Sequence, residues 1–291
     1  MSIFATCLAL SVLLACACSA WGWVPHGRRT SSRRTSSRLA STSNEKLSQK
    51  VDDQLKQWAK TFEDKVGEFG KLTASSSSKT GKGDVAKLEL EIAKATTFLE
   101  VAAENKKEDP DVVVTALLEL EKLMRARNKA DDNQTSVKTL ENLNGSWRLI
   151  FTTGTVDTQK KLGRINYFPI KAVQSFDTAA LKISNGIYAG DYAVLKFFGP
   201  FSWNVKARKL EFDFDAIAVF GFRFNLPQGG AAKIGQQTGL GSENNVELVK
   251  ANKKPFFNWI LASDKIAVAR GGGGGLALWR RDLAMQAMEG L

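Results

Sequence analysis

Leu143-Asn144-Gly145-Ser146-Trp147-Arg148-Leu149-Ile150-Phe151-Thr152-Thr153 is the stretch on which the reading of the chain turns. It is a glycine–x–tryptophan entry into a strand. Before it, apolar residues recur at helical spacing; after it, the period falls to two. Lys209-Leu210-Glu211-Phe212-Asp213-Phe214-Asp215 sets Leu210, Phe212 and Phe214 on one face and three acids on the other. Phe220, Phe222 and Phe224 repeat the pattern against Gly221, Arg223 and Asn225, and Trp203 and Val205 oppose Asn204 and Lys206. Further strands are predicted over 192–198, 256–261, 265–269 and 276–280. Turns are predicted at Asn185-Gly186, Gly199-Pro200, Pro227-Gln228-Gly229-Gly230, Ser263-Asp264 and the glycine run 271–275. About eight short strands with one apolar face suit an antiparallel barrel or sandwich. Closure also removes the edges that such aromatic strands would offer for aggregation. The stretch between Leu226 and Val246, rich in Gly, Gln and Asn, reads as a long loop at the barrel mouth.

Upstream the chain reads as helix. Leu47, Val51, Leu55, Trp58, Phe62, Val66 and Phe69 place an apolar stripe along 44–72, and Thr42-x-x-Glu45 is a capping box. Six acids and six lysines share its polar face, which favours packing or self-association over lipid contact. A linker follows over 73–83. A helical hairpin is predicted over 84–130, with Val85, Leu88, Ile92, Ala95 and Leu99 on one helix. Val113, Leu117, Leu120 and Met124 line the other, which opens on the cap Asp109-Pro110.

Charge and residue usage exclude whole classes of chemistry. Net charge is +11. Arg28, Arg29, Arg33, Arg34 and Arg38 stand in an acid-free leader, which leaves 36 of the 41 basic residues against 30 acids. No basic patch interleaved with aromatics stands out, so nucleic acid is not an expected partner. Cys7, Cys16, Cys18 and His26 are the chain's only cysteines and histidine. Cleavage of the leader would therefore remove thiolate and imidazole chemistry, whether catalytic or metal-binding. No catalytic constellation, metal site or cofactor motif is assigned, and a non-enzymatic role is expected. The acids Glu211, Asp213 and Asp215 read as a solvated strand face. The glycine run 271–275 reads as a turn, because a dinucleotide site needs a strand–turn–helix context.

The leader itself is informative. Residues 1–20 form an apolar run ending in Cys18-Ser19-Ala20, which suits signal peptidase and is of borderline length for a membrane anchor. Residues 21–43 then carry Ser, Thr and Arg with no acid, the composition of a transit peptide. A signal peptide followed by a transit segment implies delivery to a plastid enclosed by extra membranes.

The strand domain, taken as 140–282, resembles the plastid lipid-associated proteins, or fibrillins. Asn142 to Thr153 is similar to their opening motif. Asn185-Gly186-Ile187-Tyr188, with the strands through Trp203 and Phe212, is similar to their centre. Leu261-Ala262-Ser263-Asp264-Lys265-Ile266-Ala267-Val268-Ala269-Arg270-Gly271 is similar to their closing motif. The resemblance covers about 120–280 and implies an α+β chain: an antiparallel lipocalin-like β-barrel preceded by an N-terminal helical region. It also implies association with thylakoids or plastoglobules and the binding of hydrophobic molecules of lipid, prenylquinone or carotenoid class. Gly145, Trp147, Asp264 and Arg270 are its structural motif. In lipocalin-type barrels the motif tryptophan lies beneath an arginine from the end of the last strands. Arg270 or Arg280 would take that place, and Arg270 sits in the matching motif. Trp203, Phe212, Phe214, Phe222 and Phe224 are expected to line the interior, either as a cavity or as a solid core. The alternative function is a structural or assembly protein with a solid barrel and a self-associating helix over 44–72.

Overall fold

The computed structural model describes residues 82–227, 251 and 253–291. The leader, the helix over 44–72, most of the linker and most of the loop after Leu226 lie outside the described residues. Helices α1 (Lys82–Asn105) and α2 (Pro110–Ala130) form the predicted hairpin. Asp109 caps α2, its carboxylate accepting from Asp111 N at 2.9 Å ahead of proline in the first turn. A further helix, α3 (Gln134–Leu143), leads directly into β1 (Gly145–Thr152).

The strands that follow are β2 (Asn166–Tyr167), β3 (Lys171–Asp177), β4 (Lys182–Ala189), β5 (Tyr192–Asn204), β6 (Lys209–Phe212), β7 (Ala216–Val219), β8 (Phe222–Asn225), β9 (Phe256–Ala262), β10 (Ile266–Gly271) and β11 (Leu276–Arg281). Helix α4 (Val156–Leu162) lies between β1 and β2, and α5 (Leu283–Glu289) closes the chain. All pairings are antiparallel. Eight strands close on themselves in the order β1-β3-β4-β5-β6-β9-β10-β11.

Two expected turns are strand interior instead. Asn185-Gly186 lies inside β4, paired to both β3 and β5. Gly199-Pro200 lies inside β5, where that long strand passes from one partner to another. Its residues 195–198 pair with β7 and 201–204 with β6. Between them the chain kinks at Asp213-Phe214-Asp215, and a Cβ at Gly199 would lie 1.7 Å from the Asp213 carbonyl oxygen. Glycine here serves close approach of two backbones, not reversal of one. Beyond the kink, β7 leaves the barrel wall and pairs with β8, while β6 remains paired with β9. The wall thus divides at its upper end.

Three apolar clusters hold these layers. The barrel interior collects Trp147, Phe176, Phe201, Leu210, Phe212, Phe257, Trp259 and Trp279. Outside, α1 and α2 cover β9, β10, β11 and the end of β1, burying Ile260, Ile266, Val268, Leu278 and Ile150. The predicted stripe Val113, Leu117, Leu120 and Met124 is the covering face, each buried to 1% exposure or less. Val85, placed on one helix face with Leu88 and Ile92, is exposed. At the C-terminus Met285 of α5 packs on Val173 and Tyr188 outside β3 and β4. Glu289 accepts from Tyr188 Oη at 2.9 Å and from Lys196 Nζ.

Candidate functional site

The barrel floor is built from the motif stretch. Trp147 is fully buried, and its Nε1 donates to Leu143 O at 2.8 Å, tying α3 to the first strand. The arginine over it is Arg281, with Cζ 4.2 Å from the ring centroid, and neither Arg270 nor Arg280. Alternation explains the difference. Ala269 and Trp279 face inward, so Arg270 and Arg280 face outward, and Arg281 returns to the inner side opposite Trp147. Arg281 donates to the carbonyls of Asn142 (2.7 Å), Asn144 (2.8 Å), Asp264 (2.8 Å) and Ser263 (3.3 Å). Asp264 therefore serves through its backbone. Gly145 has φ +122°, and a Cβ there would lie 2.4 Å from Gln286 Oε1 and 2.8 Å from the Arg281 guanidinium. Arg270 instead fastens α2 to the barrel exterior. It donates to Glu121 at 3.0 and 2.5 Å and to Gly274 O at 2.6 Å. That hydrogen bond holds the Glu121 carboxyl below its ordinary range, with burial opposing.

The five residues expected to line the interior are not all brought together. Phe212 and Phe214 are in it, 4% and 8% exposed, with ring centroids 5.2 Å apart. Trp203 packs on the same cluster, half-buried. Phe222 and Phe224 are 73% and 56% exposed on β8, outside the closed wall. Their alternation is genuine strand pattern, but the strand projects beyond the barrel, past a turn at Phe220 (φ 50°) and Gly221 (φ 86°). Sequence reasoning missed Phe176, Phe201, Phe257, Trp259 and Trp279. They form one run of rings with Phe212: Phe212–Phe257 at 5.5 Å, Phe257–Trp279 at 5.9 Å, Trp259–Trp279 at 5.3 Å and Phe176–Trp259 at 5.5 Å. Period two over Phe257-Asn258-Trp259 and Ala277-Leu278-Trp279 carries that signal.

Burial varies along the interior, and at the floor Leu140 and Trp203 are only partly buried. Trp147, Phe176, Leu210 and Trp259 toward the floor are 0–1% exposed. Toward the divided end, Ile165, Ile170, Phe197 and Leu226 pack on the interior cluster while only partly buried. The interior is also not wholly apolar. Gln174 is 1% exposed, and neither atom of its amide has a hydrogen-bond partner. The indole N–H groups of Trp203 and Trp259 are likewise buried and unpaired. Each such group costs about 1–3 kcal/mol when left unmatched. Among the described residues, no group of His, Cys, Asp or Glu is placed to hold a metal ion.

Compared with protein-family models, with curated proteins and with solved structures, the chain matches none. The resemblance to the fibrillins is one of sequence motifs alone.

Proposed function

We propose that this chain is a non-enzymatic plastid protein of fibrillin type. Its barrel takes up a hydrophobic small molecule of the lipid, prenylquinone or carotenoid class. One observation carries the reading: the interior is lined with rings and ends, where the wall divides, in inward-facing side chains that are only partly buried. Apolar surface covered there by a ligand gains about 25 cal/mol per Å2 removed from water. A site made of rings, aliphatic chains and neutral hydrogen-bonding groups binds and releases without chemical change. The leader composition supports plastid delivery. The exposed aromatic side chains of Tyr192, Phe220, Phe222 and Phe224, clustered beside that end, support contact with a thylakoid or plastoglobule surface. Among the described residues no helix is long and apolar enough to cross a membrane.

The test is native mass spectrometry of residues 44–291 after incubation with a plastid lipid and prenylquinone extract. A discrete added mass is expected, and a bare protein mass would refute binding. The ring-on-ring packing near the floor favours a second reading, a solid structural barrel. In that case the same spectra would show bare protein as a dimer or higher assembly, dependent on the helix over 44–72.

A further inference from the structure

We propose that Gln174 is the polar anchor of the barrel interior and selects neutral, carbonyl-bearing apolar molecules over hydrocarbons and over fatty acids. The inference rests on the barrel being a binding site. On β3 the side chains of Ala172 and Phe176 join the interior cluster, while Val173 packs outside against α5. Alternation therefore turns Gln174 inward, between the first two. Its neighbours across the sheet are Trp147 on one side and Asn185 on the other, and Asn185 in turn pairs with Phe197. The four make one row across the inner wall.

Both amide atoms of Gln174 are buried without a partner, so the conclusion is the same whichever way the amide is turned. Trp259 brings a second unpaired donor close by, its ring 5.5 Å from that of Phe176, the next inward residue on β3. Two N–H donor groups against one amide oxygen call for a ligand richer in acceptors than in donors. A hydrocarbon would leave all of them unmatched. A carboxylate would be stripped of water there, and the guanidinium on that inner row, Arg281, is already engaged by the Trp147 ring and four backbone carbonyls. A ketone or quinone carbonyl meets the demand. Access follows the same row: Asn185 and Phe197 face inward yet are only partly buried, so solvent reaches within one strand of Gln174.

The experiment titrates the protein with a long-chain methyl ketone, the alkane and the fatty acid of the same length, by calorimetry and by infrared spectroscopy of the ketone carbonyl. The parent is expected to bind the ketone on the order of tenfold more tightly than either analogue and to lower its carbonyl stretch. Gln174→Leu is expected to keep alkane binding and to lose both the preference and the infrared shift. Equal binding of ketone and alkane by the parent, or a preference that survives in Gln174→Leu, overturns the anchor and leaves the barrel site standing. Binding of none of the three overturns the site and the anchor together. Gln174→Met repeats the test with a second apolar side chain. If both variants fail to fold, the amide serves the structure and the proposal is wrong.

Discussion

At the barrel floor one guanidinium donates to the carbonyls of Asn142, Asn144, Ser263 and Asp264 while lying on the Trp147 ring. Arg281 thereby joins the end of α3, the β9–β10 turn and the last strand. Losing it strands several carbonyls at once. Arg281→Ala is expected to lower stability by about 2–4 kcal/mol in urea unfolding. Arg280→Ala removes an outward side chain with no such partners and is expected to stay within about 0.5 kcal/mol. Equal losses would contradict the assignment. The quoted motif made Trp147 legible, but the arginine opposite it was obscured by three candidates, Arg270, Arg280 and Arg281, within a dozen residues. Only parity with the inward Ala269 and Trp279 separates them, and parity is known once the strands are paired.

Between elements, charged and neutral ties work together. Glu121 and Arg270 bind α2 to β10 with both side chains mostly shielded. The Glu121 carboxyl is lowered in the folded protein, so folded protein takes up this proton less readily than unfolded chain. Its contribution is complete above pH 4.5 and is lost as acid carries the pH below that value. Glu121→Gln is expected to cost about 1–3 kcal/mol near neutrality and to flatten the acid limb of a stability–pH profile. The alkaline limb runs the other way. Burial, then the Glu108 carboxylate, raises the Tyr167 phenol to about 12, so its contribution is complete below pH 10 and falls between pH 10 and about 12. Tyr188 is also raised, by burial and then by Glu289 of α5. Tyr167→Phe is expected to flatten part of the decline in denaturant midpoint above pH 10. An unchanged decline would mean that the Tyr167 phenol, bonded to the Glu108 carbonyl, does not set it.

At this scale the helical hairpin was legible because its cap and its stripe are local signals. Strand β3 was not: Ala172-Gln174-Phe176 breaks the apolar alternation with an inward amide. Gly186 and Gly199 carry the signature of turns in sequence, because a glycine beside Asn or Pro looks the same whether it reverses the chain or lets two strands touch.

Across the whole molecule, the barrel separates two kinds of aromatic residue that look alike in sequence. Phe212 and Phe214 are interior; Phe222 and Phe224, on the same alternation a few residues later, face solvent. Periodicity names a face, and only closure of the sheet decides whether that face is inside. The exposed pair is the expected surface contact. Phe222→Ser with Phe224→Ser is expected to reduce flotation with galactolipid vesicles several-fold while leaving the melting temperature within a few degrees. Unchanged flotation would remove the hairpin from any membrane role.

The claim that the interior is the binding site is met most directly by photolabelling. An alkyl diazirine is bound, irradiated and mapped by peptide mass spectrometry. Labels on Phe197, Phe214 or Leu226, inside the barrel where the wall divides, are the predicted result. Labels confined to Phe222 and Phe224, or found nowhere on the barrel, would contradict it.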